Sequence, residues 1–291
     1  MVRSDTIKYV MIATAVIVLA GTTLYPFVYA FFLSFQNWKL SRSPVPGPFI
    51  GFDNYIRAFN DVHFWNSVIV TLKFTVVSVA LSIVIGLVMA LLLQKSSRFN
   101  TVLRTLLIFP FAISPALKGF TWRFMLNPHF GILDSIIDFL FPPLATVVWL
   151  GGAGTALFWL AVTEVWGWAP FIALIFIGAL DSMSQDPFDA AKVDGASALK
   201  TFRYVTLPML RPIIVMVTLL KTIFSIKVFD QVVTLTGGGP GSSTETINYY
   251  VYKTGFKFFD MGYASAIAYL MVVVLFFLAL LYLKTVMKEE V

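Results

Sequence analysis

Apolar residues in this chain come in long, nearly unbroken runs rather than in the alternating or three-and-four spacing of half-buried elements. A helix needs about 20 apolar residues to cross a hydrocarbon core. Six stretches reach that length: 9–35, 67–93, 105–126, 155–180, 212–235 and 263–284. Proline and glycine punctuate the connections, as in Pro44, Pro46, Gly47 and Pro48 and again from Gly237 to Gly241. A further apolar segment, 132–150, carries Asp134, Asp138 and Pro142-Pro143, and is expected to lie at the interface as helix and loop. The first run follows Arg3 and Lys8, exceeds the about 7–15 residues of a signal core, and ends in no small-x-small site, so it reads as a retained helix. The expected fold is all-α: a polytopic membrane protein with about six transmembrane helices, one domain over 1–291, and no linker to a soluble domain.

Composition supports this. Hydrophobic residues make up 58% of the 291 and charged residues 12%, about half the charged share of a soluble domain, which excludes a soluble enzyme. Cysteine is absent, and His63 and His129 are the only histidines, so no thiol chemistry, disulfide or metal-ligand cluster is expected. The formal net charge of +6 reads as basic cytoplasmic loops rather than nucleic-acid binding. Arg3, Lys8, Lys95, Arg98, Arg104, Lys192, Lys200, Arg203, Arg211, Lys284 and Lys288 fall on one side; Lys39, Arg42, Arg57, Lys253 and Lys257 fall on the other. The richer side is cytoplasmic, placing both termini inside.

The loop at about 182–210, between the fourth and fifth stretches, carries the most information. Asp186 is a suitable N-cap, Pro187 fits the first helical position, and Asp189 can bond back to the cap. Ala190 and Ala191 favour helix, Asp194-Gly195 ends it, and a second helix is expected from Ser197 to just before Pro208. Taken alone this is an amphipathic connector. The complete string is more specific. Asp189-Ala190-Ala191, Asp194-Gly195-Ala196 and Val205-Thr206-Leu207-Pro208 resemble the signature loop of the permease subunits of binding-protein-dependent ABC importers, with Asp189 in place of the usual glutamate. Gly51 to Tyr55, Lys227 to Gln231, Leu235 to Pro240 and Thr244-Glu245-Thr246 are similar to the maltose and glycerol-phosphate branch, and to the first permease of its pair.

The resemblance implies an ABC importer type I permease fold in a bacterial or archaeal inner membrane, working on a sugar or polyol. It implies a coupling helix, here Asp189, Ala190, Ala191, Asp194, Gly195, Ala196, Leu207 and Pro208, docked on a separate ATPase. It further implies a second, unlike permease, two ATPase subunits that hold ATP and Mg, and a periplasmic or lipid-anchored solute-binding protein. No cofactor is expected on this chain.

Ionisable residues at bilayer depth are functional candidates. Glu164, Trp168 and Phe171 share one helix face, and Lys221, Phe224, Ser225 and Val228 share another. An aromatic wall with a few polar groups suits a hydroxylated ligand, while a Glu164–Lys221 ion pair that only fixes helix packing is the bland alternative. In maltose-type permeases the sugar site is lined from these two helices, which implies Glu164, Trp168, Phe171, Lys221, Phe224 and Ser225 here. Charge at these positions departs from the maltose pattern and points to a polyol, a sugar acid, or a phosphate- or sulfonate-bearing sugar. Lys73 and Arg123 are expected to snorkel, Lys118 to snorkel or face a partner permease, and Trp65, Trp122, Trp149, Tyr263 and Tyr282 to form interface belts. Kinks are expected at Pro26, Pro110, Pro115 and Pro170. Gly237-Gly238-Gly239 lacks the Gly-Lys-Ser/Thr of a phosphate loop, and Gly152 and Gly154 form no dinucleotide fingerprint. The rival class is a secondary transporter using Glu164, Lys221 and Asp230, which needs ion-coupling carboxylates and repeated broken helices. A polytopic enzyme would need a catalytic cluster, and the sequence has none.

Overall fold

The computed structural model describes residues 4–95, 97–144 and 147–287. The order is α1 (Ser4–Leu19), α2 (Tyr25–Ser34), α3 (Asp53–Asn60), α4 (Val62–Leu93), α5 (Arg98–Leu106), α6 (Ile108–Ala112), α7 (Pro115–Met125), α8 (Ile132–Leu140), α9 (Ala153–Asp181), α10 (Asp186–Val193), α11 (Ala198–Thr201), α12 (Leu207–Ile226), α13 (Ile247–Tyr252) and α14 (Met261–Met287). Among the described residues, five helical stretches are long and apolar enough to cross a membrane: Met11–Ser34, Val62–Leu93, Ala153–Asp181, Ala198–Ile226 and Met261–Leu280. A sixth exists only if Arg98–Ala112 and Pro115–Met125, bent by 96°, count as one span. Arg3 and Lys288 of the orientation argument lie outside the described residues.

The expected third helix is therefore corrected to a broken one. Ser114 leaves the helical region (φ −59°, ψ 144°), and its side chain accepts from Leu117 N–H to start α7 afresh, with Pro115 in its first turn. The expected stop before Pro208 is also corrected. The chain stays helical from α11 into α12 through a π-helical turn, Phe202–Thr206, in which Leu207 N–H reaches Phe202 O. Proline lacks the N–H of a regular ladder, and its ring presses on the carbonyl four residues back. A widened turn just ahead of it relieves both problems. The same device, Ala20–Leu24, precedes Pro26. At its far end the fifth stretch stops at Ile226 rather than 235, and a separate π-helical turn, Val232–Thr236, follows.

Contacts group the chain into two compact units. One comprises Met1–Trp65 and Tyr250–Val274. Asn54 Nδ2 donates to Ser34 O and Gln36 O (2.9 and 3.0 Å), holding the Gly51–Tyr55 segment against the end of α2. Arg57 pairs with Asp260 at 2.8 Å and lies 3.9 Å over the Tyr263 ring. Asp61 Oδ2 accepts from both Tyr250 and Tyr263 hydroxyls (2.5 and 2.7 Å), so Tyr263 is buried protein rather than interface belt. Burial acts to raise the Asp61 pKa, but the two hydroxyls and the His63 and Phe64 N–H groups donate to it and together hold it below its ordinary value. Burial and the bond to Asp61 push the Tyr250 hydroxyl up. A depressed carboxylate contributes stability above its unfolded pKa and loses it as pH falls through the folded one. Asp61→Asn should thus unfold at a lower temperature than the unaltered chain at neutral pH. In thermal melts taken at decreasing pH, that gap should close below the ordinary carboxylate range.

The other unit comprises Asn66–Tyr249 and Leu275–Val291. Its centre is α9, whose buried residues run from Ala156 to Leu180. Pro170 sits within α9 without ending it. One face of α4 is a polar stripe of Ser67, Thr71, Thr75, Ser78 and Ser82, all buried. At the far end of α4, Arg104 donates to Leu93 O and Gln94 O (2.8 and 2.7 Å) and pairs with Asp181 at 3.3 Å. This satisfies carbonyls that a helix terminus leaves open. Trp122 is buried between Trp159 and Trp166 instead of facing lipid. Trp149 packs on Trp159, and Trp65 is exposed. The Tyr282 side chain lies outside the described residues. Lys73 and Arg123 are exposed, while Lys118 is buried, so the snorkelling reading of Lys118 is corrected.

Candidate functional site

Two features of the second unit meet the sequence candidates. The first is a cavity of about 420 Å³ lined by Phe111, Lys118, Glu164, Trp168, Phe224 and Gln231, with Lys227 to Asp230 along one side. The 3.6-residue period stacks Glu164, Trp168 and Phe171 along α9, and Lys221 and Phe224 meet them from α12. Lys221 is fully buried, with its Nζ 2.5 Å from Glu164 Oε1 and 4.7 Å from the Trp168 ring centroid. Trp168 packs edge-on against Phe111 at 5.3 Å and tilted on Phe224 at 4.9 Å, while Phe171 stacks flat on Phe111 at 4.0 Å.

Of the six predicted lining residues, Glu164, Trp168 and Phe224 border this space. Lys221 stands behind Glu164 as its partner, and Phe171 acts through Phe111. Ser225 turns instead to Ser78 on α4, Oγ to Oγ 3.1 Å, and is buried there. The bland ion pair is thus present, beside an aromatic-walled cavity. The sequence did not single out Phe111 or Gln231 as lining residues, nor bring Lys118 to this place. Lys118 arrives because α7 packs tightly on the turn after α12: a Cβ on Gly119 would sit 1.9 Å from Thr234 Oγ1 and 3.3 Å from Gln231 O. No group of three or more His, Cys, Asp or Glu that would hold a metal occurs among the described residues.

The second feature is the loop after α9. Asp186 is the first residue of α10 rather than its cap, and Ser184 and Asp186 bond to each other ahead of it. Asp189 pairs with Lys192 at 2.8 Å instead of reaching back to the cap, which corrects the capping-box expectation. The C-terminus follows the sequence closely. Gly195 has φ +67°, its N–H bonds Lys192 O at 3.1 Å, and Ala196 N–H bonds Ala191 O at 2.9 Å. These two bonds are a Schellman closure, which needs a left-handed residue that only glycine adopts without strain. Ser197 then caps α11 by accepting from Lys200 N–H. Ala191 is buried, whereas Val193 is 88% exposed and Leu199 and Tyr204, further along the loop, are exposed as well. Leu207 and Pro208 open α12. The result is a short charged helix with an uncovered apolar side, a surface suited to another protein.

Comparison with known proteins identifies the family and the fold. The family model described as binding-protein-dependent transport system inner membrane component matches residues 82–287. The trehalose/maltose transport system permease protein of Thermococcus litoralis is 33% identical over 282 residues, covering 97% of this chain and 94% of that protein. The sulfoquinovosyl glycerol transport system permease protein of Agrobacterium fabrum is 29% identical over 280 residues, covering 96% and 90%. A crystal structure of a bacterial ABC transporter involved in the import of the acidic polysaccharide alginate superimposes with a TM-score of 0.85 at 19% identity, over 99% of this chain and 97% of that one.

Proposed function

Because the chain belongs to the binding-protein-dependent transport system inner membrane components, we propose that it is the carbohydrate-conducting, ATPase-coupled permease of its transporter, acting as a single domain. As a member it is a multi-pass inner-membrane subunit of an ABC importer, and ATP is hydrolysed on a separate subunit. Relatives named for trehalose/maltose, trehalose and starch degradation products support a carbohydrate as the solute, and the aromatic walls of the cavity support it physically: ring faces pack on sugar C–H surfaces while polar groups receive hydroxyls. The finer reading is a first permease of the maltose or glycerol-phosphate type, paired with a second, unlike permease and served by a solute-binding protein.

The observation that carries the coupling role is the exposure of the apolar residues Val193, Leu199 and Tyr204 along a loop whose first helix is closed by Gly195. The chain contains no cysteine, so a single introduced thiol reports one position. Val193→Cys should cross-link to a co-isolated ATPase subunit and should be shielded from a membrane-impermeant thiol reagent applied outside the cell. Labelling from outside, or absence of any cross-link in the intact complex, would overturn the assignment.

A further inference from the structure

Charge around the cavity does not balance. Glu164 carries one negative charge and already holds the Lys221 ammonium at 2.5 Å. Lys118, a residue 3% exposed, adds a second ammonium, with Glu164 as its electrostatic partner but no hydrogen bond or ion pair of its own among the described residues. Its Nζ rests by the backbone of α9, 2.5 Å from where a Cβ on Gly167 would lie. Lys227 and Asp230 stand exposed with opposite signs and cancel. Gln231 borders the same space at 1% exposure, and neither its Nε2 nor its Oε1 has a hydrogen-bond partner. A buried carboxamide without partners is costly, as is a lysine side chain buried beside a single carboxylate that is already paired, and here both border one cavity, on segments packed against each other through Gly119.

We infer that Lys118 and Gln231 form an anion-binding subsite, and that the carbohydrate passing this cavity carries a carboxylate, sulfonate or phosphate group. The inference rests on the transport reading above and narrows its substrate class. The ammonium and the amide NH₂ of Gln231 together offer up to five N–H donors, and charge-assisted bonds to an oxyanion are the strong kind. Bound there, the anion would neutralise the surplus positive charge. Phe111, Trp168 and Phe224 would take the ring, and the Glu164 carboxylate would accept from hydroxyls. The Glu164–Lys221 pair, being internally neutral, would serve as scaffold rather than as the reader of the charge.

The test uses the intact complex, isolated with its partner subunits and held in lipid nanodiscs. Four methyl α-glucosides that differ only at C6 (hydroxymethyl, carboxylate, sulfonate and phosphate) are titrated calorimetrically. At least one anionic member should bind about tenfold or more tightly than the neutral one. Lys118→Gln should remove most of that preference, Lys118→Arg should keep much of it, and Gln231→Leu should weaken it several-fold. The anionic arm that binds best identifies the group. Failure of every probe to bind, equal or tighter binding of the neutral glucoside, or an unchanged anion preference in Lys118→Gln would each overturn the subsite. None of these outcomes bears on the Val193→Cys cross-link, which is read without sugar, so a failed subsite leaves the coupling assignment standing.

Discussion

Lys221→Met should destabilise the chain by about 3 kcal/mol, the low end of the about 3–5 kcal/mol seen when one member of a buried ion pair is removed, because Lys118 still faces the Glu164 carboxylate. Methionine conserves shape well enough to keep the α9–α12 contact. What is lost is the ammonium 2.5 Å from Glu164 Oε1, together with the cation held 4.7 Å from the Trp168 ring. Glu164→Gln should be worse, because it strands two ammonium groups, Lys221 and Lys118, where Lys221→Met strands one carboxylate that Lys118 still faces. Combining Glu164→Gln with Lys221→Met should recover much of the loss, since with both charges replaced neither partner is left stranded. Thermal melts of the nanodisc-embedded protein, arranged as a double-mutant cycle, read the order directly. Equal melting points for all four proteins would mean that the pair contributes nothing to packing.

How far the sequence reaches depends on the distance between cause and effect along the chain. Runs such as 67–93 and 155–180 are local signals, and α4 and α9 appear with bounds shifted by only a few residues. The Asp194-Gly195 turn is equally local, and its backbone follows the glycine. Proline is harder. Pro110 and Pro115 read as kinks in one helix, but Ser114 supplied the cap that turns a kink into a 96° break. Pro208 reads as a stop, yet the π-helical turn ahead of it carries the helix through. Long-range pairing is hardest. The face Lys118 presents is set by Gly119 against Thr234, more than a hundred residues later, and no periodicity in α7 encodes that partner. For the same reason Glu164 and Lys221 were legible as two interior charges on facing helices, while Phe111 and Gln231 were invisible as members of the same cavity.

Gly195→Val should abolish ATP-driven uptake while leaving the chain in the membrane. At φ +67° a valine meets the steric cost of left-handed geometry, about 1–2 kcal/mol for a residue with a Cβ and more for a branched one. The site itself is open, with no atom within 4 Å of the added Cβ, so backbone strain and not a clash is the cause. Relief requires the backbone to leave that region, which breaks the Gly195-to-Lys192 and Ala196-to-Ala191 bonds and unwinds the end of α10. Val193 sits two residues before Gly195, so on the proposed coupling role the apolar surface that would meet the ATPase is lost with it. The spanning helices lie outside this change and should insert normally. Gly195→Asn gives the discriminating control, because asparagine tolerates left-handed geometry, and it should retain much of the ATPase association that valine loses. Co-isolation of the ATPase with each variant, scored against the amount of chain in the membrane, separates the outcomes. Normal association of the valine variant would show that α10 engages its partner without the geometry at Gly195.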